Sequence, residues 1–320
     1  MDMLSRVAEN LYWMARYLER AENTARLINA TTQTLLDLPH GASFGWDVLI
    51  RVAGLDSLYS QYHSAADEAT IVHFLILDER NPSAILSSIR HARENTRTFR
   101  EVLPTELWER INDLFLYIGL EAPRAVENRN QRYEILNGVI QKRHGIVGLL
   151  SGSMSHDVVY QFIKLGRNIE RADMTTRIVD VNSAVLLPRQ DEAAAATVER
   201  LWMGTLRALS AYEMYRRYRS VHVRGPDVVD FLLKDENFPR TVHHCLNEIE
   251  SCLAALPSYE TAMRAARRAW RRLEGMKLEE LSAAVLHEYL DQVQVDLDGI
   301  HTALARQYFH LHHAQQSMLS

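Results

Sequence analysis

Arg16-Tyr17-Leu18-Glu19-Arg20-Ala21-Glu22-Asn23-Thr24-Ala25-Arg26 returns as Arg167-Asn168-Ile169-Glu170-Arg171-Ala172-Asp173-Met174-Thr175-Thr176-Arg177, one phrase of the form R-x-x-E-R-A-x-x-T-x-R restated at an offset of 151 residues. The likeness runs on outside the phrase. Trp46, Arg51 and Tyr59 meet Trp202, Arg207 and Tyr215 at an offset of 156, and Phe74, Asp78 and Pro82 meet Phe231, Asp235 and Pro239 at 157. An offset held nearly constant over so long a stretch reads as an internal duplication, and the polar residues shared by two otherwise divergent copies call for a reason beyond helix formation.

Around the first phrase the apolar residues Leu4, Val7, Leu11, Met14, Leu18, Ala21, Ala25 and Ile28 are spaced by threes and fours, which places them on one face of a long helix ending before Pro39. Further helices are expected over 44–62, 66–77, 82–102, 105–121 and 125–152. Asn81-Pro82 reads as a helix start, since Asn can cap free amides and Pro needs no donor in the first turn. The second half repeats the plan from 156 to 313. Its long first helix is expected to be capped by Ser155 and to reach Leu187, before Pro188. Almost no segment alternates with period two, and Gly and Pro fall mostly at the expected junctions. The expected fold is therefore all-α: a helical bundle of two tandem multi-helix repeats, 1–152 and 153–313, packed as one body about an approximate two-fold axis, with 314–320 as a frayed tail.

The 320 residues are 47% hydrophobic and 24% charged, enough to bury a substantial core. A net charge of −5 gives no general attraction to nucleic acid or to an anionic membrane. Arg264, Arg267, Arg268, Arg271 and Arg272 form a local basic stretch, read as a solvated helix face because it lacks interleaved aromatics. Cys245 and Cys252 are seven residues apart on one expected helix, too far for a disulfide, and read as small buried apolar residues. The most apolar run, Ile71 to Leu77, is too short to span a bilayer. With no signal-peptide pattern at the N-terminus, the expected location is cytoplasmic.

Within the first helix Glu19, Glu22, Arg26 and Tyr12 lie beside the apolar seam, Arg16 and Asn23 lie further round, and Arg20 points away; Glu170, Asp173, Arg177 and Arg167 take the matching places in the second copy, with Arg171 the outlier. One reading is structural. Glu22 to Arg26, Asp173 to Arg177 and Arg16 to Glu19 have ion-pair spacing, and partly buried charges of this kind must find partners in fixed geometry. The other reading is a ligand site, in which both long helices face one groove. There Arg16, Arg26, Arg167 and Arg177 would take carboxylates, and Glu19, Glu22, Glu170 and Asp173 an ammonium, a lining suited to an amino acid or small peptide.

Other chemistry is poorly supported. The chain has no phosphate-binding loop, dinucleotide fingerprint or nucleophile elbow. Ser153, Ser155, His156 and Asp157 are close in sequence but sit at a helix start, where Ser and Asp act as caps. No Glu-x-x-His pair occurs, and His156, His243-His244 and His310 to His313 lack zinc-site spacing, so no metal is expected. Tyr12, Trp13, Trp46 and Trp202 read as packing residues.

The stretches Met3 to Asn23 and Leu165 to Asp180, together with Phe74-Leu-Ile-Leu-Asp-Glu-Arg-Asn-Pro-Ser and Ala92-Arg-Glu-Asn, resemble the bacterial alpha-E family over essentially the whole chain. The matching charged residues are Arg16, Glu19, Arg20, Glu22 and Arg26, then Arg167, Glu170, Arg171, Asp173 and Arg177. The resemblance implies a cytoplasmic all-helical protein. It also implies genetic company with a circularly permuted ATP-grasp ligase and a transglutaminase-like peptidase, and hence a part in making or modifying a small peptide. ATP and magnesium would then sit on the ligase, with no cofactor on this chain. Three roles follow: an enzyme subunit with Glu19 and Glu170 as acid/base groups, a non-catalytic module that holds the peptide or docks the ligase, or a scaffold whose shared charges are ion pairs.

Overall fold

Val7, Leu11, Met14, Leu18, Ala21, Ala25 and Ile28 all face inward from helix α1 (Asp2–Asp37), none more than 3% exposed, in a computed structural model that describes residues 2–38, 44–186, 192–276 and 282–309. The period of three and four buries one whole stripe of the helix, as the spacing requires. Thirteen more α-helices follow among the described residues: α2 (Asp47–Ala53), α3 (Asp56–Tyr62), α4 (Glu68–Ile76), α5 (Ile85–Thr98), α6 (Thr105–Glu127), α7 (Arg129–Ser153), α8 (Val158–Leu186), α9 (Glu192–Ala208), α10 (Tyr212–Tyr218), α11 (Gly225–Lys234), α12 (Val242–Ala254), α13 (Glu260–Glu274) and α14 (Ala283–Leu304). No strand occurs among these residues, and the fold is all-α. None of the helices is long and apolar enough to cross a membrane.

Helix α1 packs on α5 and α7 as α8 packs on α12 and α14, and each reaches across the molecule, α1 to α9 and α8 to α2. The buried apolar residues make one connected cluster from Val7 to Phe309. Trp46 and Trp202 both belong to it, as their matching positions suggest. The two long helices cross closely at Gly166, where a Cβ would run into the carbonyl oxygen of Tyr12, so this position admits only hydrogen.

Several boundaries differ from the sequence reading. The single helix expected over 44–62 is two, because Gly54 turns left-handed (φ 65°) and its amide closes α2 by donating to Arg51. Ser210 ends α9 in the same way, at φ 54°. Asn81 does not cap a helix: its amide nitrogen donates to the Phe74 carbonyl, its oxygen accepts from Ser83, and α5 begins only at Ile85. Pro123 lies inside α6 rather than at a break, and the junction with α7 falls at Asn128, whose side chain accepts from Asn130 and Gln131. The cap of α8 is Asp157, accepting from Val159 and Tyr160, and not Ser155. The expected helix end at Leu187, the segment around Pro39, the histidines from His310 on and the tail 314–320 lie outside the described residues.

Candidate functional site

The two copies of the charged phrase meet where α1 crosses α8. Glu170 of α8 accepts from Arg20 Nε at 2.6 Å and from Arg16 Nε at 2.8 Å. Glu19 of α1 accepts from Arg171 Nε at 2.8 Å, from Arg240 Nη1 at 2.9 Å and from Arg143. Arg20 and Arg171 therefore do not point away, as expected from the seam of one helix alone. Each lies toward the opposite long helix and donates to its glutamate.

Glu22 lies one turn further along. It accepts from Arg26 Nε at 2.7 Å and Arg240 Nη2 at 2.6 Å, pairs with Arg143 Nη1 at 2.8 Å and faces His144 Nε2 at 3.3 Å. Glu19 and Glu22 are wholly buried, and Glu170 nearly so at 3% exposure. Arg240 also donates to Asn23 Oδ1 at 2.7 Å. What fills the space between the stripes at these three glutamates is guanidinium from the surrounding helices.

Burial alone would push the Glu19 carboxyl up, but Arg143, Arg171 and Arg240 outweigh it and hold the group below the ordinary carboxylate range. Glu22 is held lower still, against the same burial, chiefly by Arg143 and Arg240. Glu170 is buried too, yet Arg20 and Arg16 bring it down to about 2. All three are fixed as carboxylates, which makes them strong acceptors and poor proton carriers at neutral pH. Arg143, desolvated and crowded by Arg171 and Arg240, falls to about 10 despite Glu19 and Glu22.

The remaining phrase residues divide. Arg16 also donates to Tyr12 Oη at 3.3 Å and lies 5.0 Å from the Trp13 ring centre. Tyr12 Oη in turn meets His301 Nδ1 at 2.9 Å. Burial and the Arg16 charge keep His301 below its usual pKa, which suits a neutral ring accepting the tyrosine proton. Arg26 donates to Ser210 Oγ at 2.5 Å and contacts His144 at 2.9 Å. Asp173 and Arg177, both half-buried, pair with each other at 2.9 Å, and Arg177 forms no ion pair with the three glutamates. Arg167 makes no hydrogen bond or ion pair among the described residues, and its Nε is buried without an acceptor.

Sequence reasoning missed Arg143 and Arg240. Neither belongs to the phrase: Arg143 comes from α7 and Arg240 from the turn before α12, and local periodicity carries no sign that they converge on α1. The other readings fare better. Asp157 is a cap, and His156 stacks on Tyr160 at 4.1 Å. His243 rests edge-on against Trp270, and His244 faces the Glu236 carbonyl at 2.9 Å. Both cysteines are free and fully buried. Four of the five arginines of α13 are exposed, and Arg272 pairs with Asp296 at 2.6 Å.

Asp180, His287 and Asp291, a group the sequence did not single out, bring possible ligand atoms within 4.8 Å of one another. His287 Nδ1 already meets Asp180 at 2.8 Å, and Nε2 faces Asp291 at 3.8 Å. This is the order of a carboxylate–imidazole–carboxylate hydrogen-bond chain, and the imidazole pKa is raised accordingly by the bond to Asp180.

Three surface clefts, of about 630, 550 and 580 Å³, lie beside Arg207, Trp270 and Phe238 respectively, and none is lined by Glu19, Glu22 or Glu170.

An all-α bundle whose two longest helices exchange Glu-Arg pairs is the class of protein that this geometry defines. The chain belongs to the alpha-E family, described as a predicted alpha-helical domain with a conserved ER motif, whose profile matches residues 3–309. The adjacent Glu19-Arg20 and Glu170-Arg171 are the two Glu-Arg pairs of the crossing. Uncharacterized proteins of Mycobacterium bovis and of two Mycobacterium tuberculosis strains are each 25% identical to it, over 93% of this chain and 35% of their own length. The chain thus spans about a third of the length of the curated relatives it matches. No solved structure matches.

Proposed function

We propose that this chain is a non-catalytic helical module that works beside an ATP-grasp ligase and a transglutaminase-like peptidase in the synthesis or modification of a small peptide, and that its Glu-Arg layer is the clamp that fixes the module's shape. The observation that carries the reading is the state of the three glutamates. Glu19 and Glu22 have no exposed surface, Glu170 has 3%, and each is held by at least two guanidiniums. A group so covered and so strongly held as a carboxylate neither reaches a substrate nor exchanges a proton with it. The partners are proposed from the family resemblance. The longer relatives add support, since there the matching segment is joined to roughly twice its own length of further chain.

The experiment is co-expression with the candidate ligase. The proposal expects a stable complex whose ATP-dependent ligation of amino acids or peptides needs both proteins, while the isolated chain turns nothing over. Turnover by the isolated chain, or ligation indifferent to its presence, would overturn it.

One observation favours a second reading, in which the layer also holds a small carboxylate. Arg167 Nε, on the inner side of α8, lacks an acceptor. A thermal-shift panel of amino acids and short peptides tests this: stabilisation of the wild type that Arg167→Gln abolishes, at unchanged basal melting, would support it. No shift with any of them would remove it.

A further inference from the structure

The turn between α4 and α5 and the turn between α11 and α12 are built alike but filled differently. At the offset of 157, Asp78, Arg80 and Pro82 correspond to Asp235, Asn237 and Pro239. The geometry agrees with the alignment. Asp78 Oδ1 accepts from the amide of Arg80 at 3.0 Å, and Asp235 Oδ1 accepts from the amide of Asn237 at 3.0 Å. Behind each turn a tyrosine stands edge-on to a phenylalanine, Tyr59 to Phe74 at 5.1 Å and Tyr215 to Phe231 at 5.6 Å.

In the first turn the Arg80 side chain folds back on Asp78. Its Nη2 reaches Oδ2 at 2.6 Å and its Nε reaches Oδ1 at 2.9 Å, with the guanidinium carbon 4.5 Å from the ring centre of Tyr62. The carboxylate, the guanidinium and the aromatic ring make a complete recognition unit for one cation.

In the second turn the carboxylate and the ring are kept, and no guanidinium among the described residues bridges the two. Asn237 is too short and uncharged. Asp235 makes no ion pair among the described residues, and Oδ2 has no hydrogen-bond donor among them. Arg219, standing where the first turn has His63, is committed to Asp230 at 3.0 Å. Arg217 lies 5.1 Å from the Tyr218 ring centre but forms no pair with Asp235. What remains is a cleft of about 580 Å³ lined by Asp235, Asn237, Tyr218, Phe238, Met214 and Arg219. Tyr218 is 63% exposed beside it.

We infer that this cleft is a binding site for a guanidinium supplied from outside the chain, on a free arginine-like molecule or on an arginine side chain of a peptide, taking against Asp235 and Tyr218 the place that Arg80 takes against Asp78 and Tyr62. The inference does not depend on the ligase partner. Met214 and Phe238 give the aliphatic stem of such a ligand an apolar wall, and the planar fork suits a carboxylate better than an ammonium does.

The test is calorimetric titration of the full chain with L-arginine, agmatine and N-acetyl-arginine amide, with citrulline as the uncharged control of nearly the same shape. The guanidinium probes are expected to bind and citrulline to bind at least about tenfold more weakly, the loss that follows when a charge-assisted pair is removed. Tighter binding of L-arginine than of the capped amide assigns the site to a free amino acid; equal binding assigns it to a peptide side chain. Asn237→Arg, which supplies the cation from within, should abolish binding at unchanged melting temperature. Asp235→Asn keeps the turn acceptor and should weaken binding about tenfold or more. Absence of binding by all three guanidinium probes, equal binding of citrulline, or unchanged affinity in Asn237→Arg would each overturn the assignment.

Discussion

Arg20 of α1 donates to Glu170 of α8 at 2.6 Å while Arg171 of α8 donates to Glu19 of α1 at 2.8 Å, so each long helix neutralises the buried glutamate of the other. Charged groups taken out of water are tolerated only with partners in fixed geometry, and removing one member of such a pair leaves the other uncompensated. The crossing of α1 and α8 is therefore specified by charge as well as by the apolar seam.

The crossing distance itself depends on Gly166. Gly166→Ala should destabilise the protein by about 1–3 kcal/mol, since the added methyl meets the backbone of Tyr12 and not a flexible side chain. Gly148→Ala is the control: nothing lies within 4 Å of its Cβ position in the C-terminal part of α7, and the change should stabilise by about 0.5–1 kcal/mol. Denaturation midpoints of the two variants check both signs.

Acid should loosen the layer. Glu170 is lowered from 4.5 to about 2 in the folded chain, so its contribution is present above pH 4.5 and is lost as the pH falls from there toward 2. Glu19 and Glu22 are lowered as well and act in the same direction. The melting temperature should drop steeply across that window. Glu170→Gln should lower it at neutral pH and flatten the slope below pH 4.5. An unchanged slope in the variant would show that Glu170 takes no part.

The cysteines should be silent in the native protein. Burial pushes Cys245 up to about 12 and Cys252 up to about 11, and neither is exposed. A thiol reagent at pH 8 should titrate neither in native buffer and both in denaturant. Fast reaction of either native thiol would show that α12 opens readily.

Much of this architecture was legible in the residues themselves. The spacing of Leu11, Met14 and Leu18 is a local property of one helix, so α1 and its buried face could be read directly. The burial of Trp46 and Trp202 followed from their matching positions. Breaks were harder. Gly54 divides an otherwise helical run through its backbone conformation, while α6 runs on past the expected end at 121 with Pro123 inside it. At the candidate site the phrase was visible but its partners were not. Which way Arg20 and Arg171 point is decided by the facing helix, and Arg143 and Arg240 arrive from positions 124 and 221 residues away from Glu19. Pairings so distant in sequence leave no periodic trace.

The central claim is that the Glu-Arg layer holds the helices together, and a double-mutant cycle on Arg20 and Glu170 tests it most directly. Unfolding free energies would be measured for the wild type, Arg20→Gln, Glu170→Gln and the double variant. Glu170→Gln alone should cost about 3 kcal/mol, because it strands Arg16 and Arg20, and the double variant should be less destabilised than the sum of the singles by at least ~1 kcal/mol. Additive, near-zero effects on stability, with ligand binding or ligation lost in both single variants, would contradict the account and make the layer a working site.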